Sequence, residues 1–432
     1  MSKENTIKVF GMELPVFLFF FAVIAASAWM NIIPNEMLGA AAILFSLGIV
    51  LGEIGERIPI WNVDCGSGAI LAFVVSGLLT YYNLLPECVV ENATGWMSGY
   101  NFLNVFISLL IVGSLLGMDR KVLIKSGSLF IPAILASIVG AGVLGILGGL
   151  VIGKSPMEII TAYVLPIMGG GAGAGAVPMA QVYGDVTGQD PAGYLSFALA
   201  ILAVGNIVAV IFAVILDIVG RVMPKWTGHD KLMKDASKQI VVEKEEEKKV
   251  TMDDIGGAIF LTAGFFVLGQ LMAKKVLPSI MGVAIPNFAY MILFAALANV
   301  FNLIPEHLRM GAKKCQQFCG SKLVWVQMVG CGIVLIDFRE MLGVLSVSNL
   351  LVVVLIVLGA VLGAGLFGQL VGFYPVESAI TAGLCMANMG GAGDLAVLGA
   401  ARRMELMSYA QISSRIGGAI ILLIGSIAFS LL

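Results

Sequence analysis

Long uncharged runs, rather than amphipathic stripes, dominate the chain. Apolar residues fill 14–31, 37–52, 66–83, 102–118, 127–152, 194–219, 254–273, 279–302, 323–337, 349–372 and 407–432. A helix needs about 20 apolar residues to cross the hydrocarbon core of a bilayer, so these runs predict eleven transmembrane helices. Two further apolar stretches, 161–180 and 378–400, are broken by glycine clusters, and neither has the pattern of a clean spanning helix. Polar residues collect in short loops and in one long insert, 220–253, whose "VVEKEEEKKV" mixes charges of both signs. That insert reads as a solvated linker between two halves. The expected fold class is an all-α polytopic membrane protein.

Composition agrees. Of the 432 residues, 59% are hydrophobic and 12% charged, where a soluble domain carries about 25% charged residues. A net charge of −2 provides no basic face for nucleic acid. The six cysteines (65, 88, 315, 319, 331, 385) are scattered. Cys315, Cys319 and upstream His307 lack a fourth ligand for zinc, and the other histidine, His229, is remote. No cofactor or catalytic residue is expected. At the N-terminus, Lys3 and Lys8 precede an apolar run containing Ala25-Ala26-Ser27-Ala28, the outline of a cleavable signal. Glu4 and Glu13 before that run, and a second run soon after it, favour a first membrane helix instead.

Lysine and arginine concentrate in cytoplasmic loops. With the N-terminus inside, the C-terminus outside, and both glycine-rich stretches entering and leaving on one side, 20 of the 25 basic residues are cytoplasmic. Lys154, Lys274, Lys275 and Arg339 lie outside, and Arg415 falls within a span. Letting either stretch cross fully would switch every later loop and weaken the bias. A bacterial cytoplasmic membrane is the expected location.

Residues 160–177, "ITAYVLPIMGGGAGAGAV", and 380–397, "ITAGLCMANMGGAGDLAV", share Ile-Thr-Ala, Gly-Gly-Ala-Gly and Ala-Val at a constant offset of 220. Each copy follows four predicted spans and precedes one, within 37–219 and 254–432, after an extra N-terminal segment 1–36. The halves start from opposite sides, which makes them an inverted repeat. Inverted repeats with broken, glycine-rich segments recur in secondary transporters. Irregular backbone at membrane depth must be buried or line a cavity. Glycine lets backbone amides approach a ligand, and helix N-termini attract anions. Two re-entrant hairpin tips facing one anion site are therefore expected, against the alternative of close helix packing through small residues.

"LPIMGGGAGAGAVP", "ESAITAGLCMANMGGAGDLAVL" and "YAQISSRIGGA", with "FGMELP", "GEIGERIPI" and "NFLNVFI", resemble segments of the 2-hydroxycarboxylate transporter family, which includes bacterial sodium–citrate and malate carriers. The resemblance implies eleven spans, two re-entrant hairpins, homodimers and elevator-like alternating access. It implies Na+ as coupling ion, with H+ coupling or exchange as alternatives. In the sodium–citrate branch the tips resemble GGGNG and NRGGSGD, where this chain has Ala172, Met389 and Ala392. One arginine of the citrate carriers is thus missing and the other falls on Arg415. Citrate has three carboxylates and malate two, and an arginine–carboxylate pair is strong and selective. Symport of malate or a similar 2-hydroxy-dicarboxylate is therefore expected, with citrate or a mixed range as the alternative.

The substrate is expected to meet Arg415, Gly171, Ala172, Gly173, Asn388, Gly390, Gly391, Ala392 and Gln411. An intramembrane arginine is usually functional, although Arg415 could also snorkel inward. Gln411, one turn before it, would orient the guanidinium or simply pack. Asn388, Asp394, Ser413 and Ser414 form a candidate Na+ neighbourhood, or make helix-to-helix hydrogen bonds. As an anion, Asp394 suits a coupling ion, a proton or the structure of the tip rather than a dicarboxylate. Asn206 offers a polar contact from the first half, and Arg402 and Arg403 read as topology anchors, or as charges that draw anions toward an inward-facing cavity. A membrane subunit of a sodium-pumping decarboxylase is the rival from another class, separable by copurification with a biotin-bearing partner. An anion channel is a weaker rival.

Overall fold

The structure, a computed structural model, describes residues 8–58, 67–118, 120–229, 231–234, 250–277, 279–280, 283–284, 287–335, 343–344 and 346–432. It is almost wholly helical, with two two-stranded hairpins, Lys8–Val9 with Met12–Glu13 and Ser279–Ile280 with Val283–Ala284. Each apolar run contains a helix: Leu14–Trp29, Met37–Arg57, Ser67–Tyr81, Phe102–Leu116, Arg120–Val151, Pro191–Val222, Met252–Leu271, Asn287–Val300, Val324–Leu335, Val347–Leu370 and, across a widened turn, Met404–Phe429. By length and composition, seven helices of the described residues can cross a membrane. An eighth arises if Glu87–Gly99 and Phe102–Leu116, bent by 54°, count together. Leu14–Trp29, Gly68–Tyr81 and Asn287–Val300 are apolar but shorter.

Local chemistry sets the helix starts. Asp190 accepts the Ala192 N–H just before Pro191. Thr251 and Asp254 cap each other's backbone amides at the head of Met252–Leu271. Ser346 caps Val347–Leu370 through the Asn349 N–H. Two helices were not visible as apolar runs, Glu87–Thr94 and Glu306–Phe318. The amphipathic Glu306–Phe318 continues through a π turn, Cys319–Leu323, into Val324–Leu335.

The described residues fall into two compact units. One gathers the chain up to Phe106 together with 318–335. In it Gly52 packs under the Trp325 ring, where an added Cβ would come within 2.1 Å. The buried Trp96 Nε1 donates to Gln327 Oε1 at 3.2 Å. The other unit holds the remainder, including both glycine-rich stretches. Its helices Arg120–Val151 and Val347–Leu370 touch through backbone, since a Cβ on Gly359 would stand 2.1 Å from the Gly140 carbonyl oxygen and one on Gly140 would stand 2.2 Å from that of Gly359. Close contact of this kind is how apolar helices associate without a hydrophobic driving force.

The expected solvated linker needs correction at its start. Tyr374 N–H donates to Leu232 O at 2.9 Å and Lys234 N–H to Gly372 O at 3.0 Å. Leu232 and Met233 are buried. Backbone pairing and two apolar side chains therefore hold this strap against the protein. Residues 230 and 235–249, with most of "VVEKEEEKKV", lie outside the described residues.

Candidate substrate and ion site

Both glycine-rich stretches are helix–break–helix hairpins. The first runs from Pro156–Met168 through Gly169–Gly171 into a π turn, Ala172–Ala176, and the helix Val177–Thr187. The second runs from Pro375–Ser378 and a π turn, Ala379–Leu384, through 385–390 into Gly391–Ala400. The breaks need glycine. Gly170, Gly171 and Gly390 have φ of +78°, +118° and +71°, a region that other residues rarely enter. The two tips meet there, backbone against backbone. A Cβ on Gly171 would lie 2.7 Å from the Met389 carbonyl oxygen, and one on Gly390 would lie 2.9 Å from that of Gly170. The last helix closes a third side, with Ser414 O 2.4 Å from a Cβ placed on Gly170.

A buried polar cluster fills the second tip. Asn388 Nδ2 donates to Asp394 Oδ1 at 2.9 Å, and Asn388 Oδ1 accepts the Gly390 N–H at 2.7 Å. Ser414 Oγ stands 3.0 Å from both Asp394 carboxylate oxygens and 3.1 Å from Cys385 O. Asn206, wholly buried in Pro191–Val222, accepts the Met389 N–H at 3.1 Å, so the polar contact expected from the first half reaches the tip. Asn388 and Asp394 are buried, and half-buried Arg415 is near enough for its charge to act on Asp394.

Asn388, Gly390, Asp394, Ser414, Arg415, Gly171 and Ala172 thus belong to one neighbourhood. Ser413 turns away and donates to Thr381 O at 2.6 Å, a helix-to-hairpin bond. Gln411 is exposed, and the π turn Ser413–Gly417 separates it from a regular one-turn relation to Arg415. The surroundings of Gly173, Gly391 and Ala392 lie outside the described residues. Among the described residues, no group of three or more His, Cys, Asp or Glu side chains could hold a metal ion. A carboxylate with amide, hydroxyl and carbonyl oxygens suits a hard cation. The glycine amides and the N-terminal end of Gly391–Ala400 suit an anion.

A model of the 2-hydroxycarboxylate transporter family matches residues 9–427. The chain belongs to that family. It is 44% identical over 425 residues to a citrate/sodium symporter of Salmonella typhimurium, covering 98% of this chain and 95% of that protein. It is 36% identical over 409 residues to a Na(+)-malate symporter of Bacillus subtilis, covering 94% and 89%. Against the citrate transporter CitP of Lactococcus lactis subsp. lactis the identity is 32% over 430 residues, covering 99% and 95%.

In this family member the reading of Arg403 as a topology anchor needs correction. Arg403 is buried and pairs with Glu377 and Asp217, whereas Arg402 is exposed. Sequence reasoning missed this cluster. The available signal was a carboxylate inside one apolar run, Asp217 in "AVILDIVG", and another just before the second glycine-rich stretch, Glu377 in "PVESAIT".

Proposed function

We propose that this transporter carries malate, or a similar C4 2-hydroxy-dicarboxylate, together with Na+ by alternating access in the bacterial cytoplasmic membrane. The contact between the two hairpin tips, beside the Asn388–Asp394–Ser414 cluster and Arg415, carries this reading. Substrate carboxylates meet Arg415 and the amides of Gly171, Gly173, Gly390 and Gly391, with Ala172 and Ala392 shaping the pocket. Na+ binds among oxygens of Asn388, Asp394 and Ser414. One part of the molecule then carries the loaded tips across.

Two observations favour an inverted repeat. The π turns Ile159–Val164 and Ala379–Leu384, and the left-handed glycines Gly170 and Gly390, are each 220 residues apart. In this reading Leu14–Trp29, Gly68–Tyr81 and Asn287–Val300 also span, which makes eleven spans. The hairpins enter from opposite faces, the N-terminus is inside and the C-terminus outside, and the protein is a homodimer. A relative named for citrate at 44% identity supports citrate as the second reading. Met389 and Ala392, where the citrate branch resembles arginine and serine, favour the dicarboxylate.

Labelled malate uptake into proteoliposomes, with sodium and pH gradients imposed separately and citrate as competitor, tests the reading. Sodium-driven malate accumulation that excess citrate does not suppress is expected. Sodium-driven citrate uptake that malate does not inhibit would overturn the substrate. Arg415→Ala should abolish accumulation with expression intact, because it removes the one charged partner this reading gives the substrate carboxylates, and a charge-assisted pair is about twice as strong as a neutral hydrogen bond. Normal uptake by that variant would remove Arg415 from the site.

A further inference from the structure

The ends of the second hairpin are fastened by buried charge. Glu377, in its first turn, is wholly buried, and Arg403, just past its last helix, is 3% exposed. Arg403 Nε donates to Glu377 Oε1 at 3.1 Å, so the chain leaves the hairpin where it began. A second guanidinium nitrogen donates to Asp217 Oδ1 at 3.3 Å and to the carbonyls of Ala401 and Arg402 at 3.0 and 3.1 Å. The third donates to Thr227 Oγ at 3.2 Å. Thr227 Oγ in turn donates to Glu377 Oε1 at 2.5 Å, and the Gly228 N–H to Glu377 Oε2 at 2.9 Å. Arg221 stands 3.1 Å from Asp217, with Arg402 at 4.0 Å.

The same helix, Pro191–Val222, holds this hairpin at two points. Asn206 binds the tip through the Met389 N–H, and Asp217 binds the base through Arg403. Their eleven-residue separation is about 16 Å of helix and close to three whole turns, which puts both side chains on one face. The helix is a ruler laid along the hairpin, fixed at each end. Residues 227–229 and 231–234 also lie against the base, through Thr227, Gly228 and the Leu232–Tyr374 backbone bond.

We propose that Arg403, with Glu377 and Asp217, is a positioning clamp for transport. It fixes the second hairpin to the Pro191–Val222 helix so that the tip presents its polar cluster in binding register. This rests on the reading of the tips as the substrate and ion site. Arg403 touches neither substrate nor ion, and it acts through the rigid arms of the hairpin. Its planar fork reaches two carboxylates and a hydroxyl at once, which a lysine cannot do.

The test uses the full-length protein in proteoliposomes: wild type, Glu377→Gln, Arg403→Lys and Thr227→Ala. Three readouts are taken: the KM for labelled malate (or citrate, if the uptake assay selects it), the Na+ concentration for half-maximal uptake, and the labelling rate of each native cysteine with a maleimide, resolved by peptide mass spectrometry. Cys385 is wholly buried at the second tip, and Cys331, wholly buried in the other unit, reports general unfolding. In Glu377→Gln the KM and the Na+ half-saturation should rise about tenfold, a common size for coupling between sites. Cys385 labelling should quicken while Cys331 stays protected. Arg403→Lys should fall between wild type and Glu377→Gln, and Thr227→Ala should shift the same quantities less.

Unchanged KM and unchanged Cys385 labelling in Glu377→Gln would overturn the clamp. So would Cys331 and Cys385 quickening together, or Cys385 quickening with no change in KM. If Glu377→Gln does not fold, Thr227→Ala leaves every charge in place and is judged by the same outcomes. Cys385 labelling needs no bound substrate, so it reports on the clamp even if Arg415→Ala transports normally and the site reading fails.

Discussion

The two hairpins share their middles and differ at their bases. In each, a threonine hydroxyl bonds the carbonyl four residues back: Thr161 to Met157 at 2.8 Å and Thr381 to Glu377 at 2.7 Å. In each, the threonine's own carbonyl accepts a hydroxyl from the following helix: Tyr194 at 2.9 Å and Ser413 at 2.6 Å. Gly170 and Gly390 make the same left-handed kink. At the bases the likeness ends. Where the second hairpin has Arg403, the first has Tyr183, 220 residues earlier, stacked on Tyr194 at 4.8 Å. Two polar pairs near the first base, Lys154 with Glu158 and Gln181 with Asp185, are exposed and stay within one segment, and a bond that reaches another helix from this arm, Tyr163 to Asn349 at 2.8 Å, joins uncharged side chains. Stacked rings tolerate sliding, whereas a buried charge network holds only when every member is in place. The glycine kink and the threonine contacts are thus common to both hairpins, while the base is fastened by a ring stack in one and by a buried charge network in the other.

The largest way to break this contrast is Arg403→Ala. It leaves the buried Glu377 without its cation, while Asp217 keeps Arg221 at 3.1 Å; removing one partner of a buried pair costs about 3–5 kcal/mol. The thermal midpoint in detergent should fall further than for any change at the first base. Next comes Gly171→Ala, which combines a forbidden φ with a collision against Met389 O. Strain of this kind is worth about 1–3 kcal/mol, and uptake should fail while the protein stays monodisperse in size-exclusion chromatography. Tyr194→Phe keeps the stack but loses the bond to Thr161 O, for about 0.5–1.5 kcal/mol. A midpoint shift equal to that of Arg403→Ala would erase the distinction between the bases. Smallest is Glu158→Gln, whose exposed pair with Lys154 is worth about 0–0.5 kcal/mol; its midpoint should match wild type.

Much of the polar cluster at the candidate site was legible because glycine and intramembrane polar residues are conspicuous in an apolar chain. The repeated Gly-Gly-Ala-Gly marked both breaks, and Asn388, Asp394, Ser414 and Asn206 come together at the second tip. Ser413 and Gln411 were harder to place. Neighbouring helix positions point in different directions, and the π turn Ser413–Gly417 shifts the phase between them. The helix Glu306–Phe318 escaped notice because its polar face interrupts the apolar run that continues it. The buried role of Arg403 was hidden for another reason: a basic residue after a hairpin looks the same whether it faces water or a carboxylate distant in sequence.

Membership of a polytopic helical class, the positions of the hydrophobic helices and the two glycine breaks follow from local composition. Lipid offers no partner for backbone groups, so the order of apolar runs is nearly the order of helices. Tertiary structure alone decided which broken segment is bolted down, because Asp217, Thr227, Glu377 and Arg403 meet only when chain segments up to 186 residues apart are brought together. Burial then turns ordinary charges into a directional fastening, and burial depends on the packing of the entire unit.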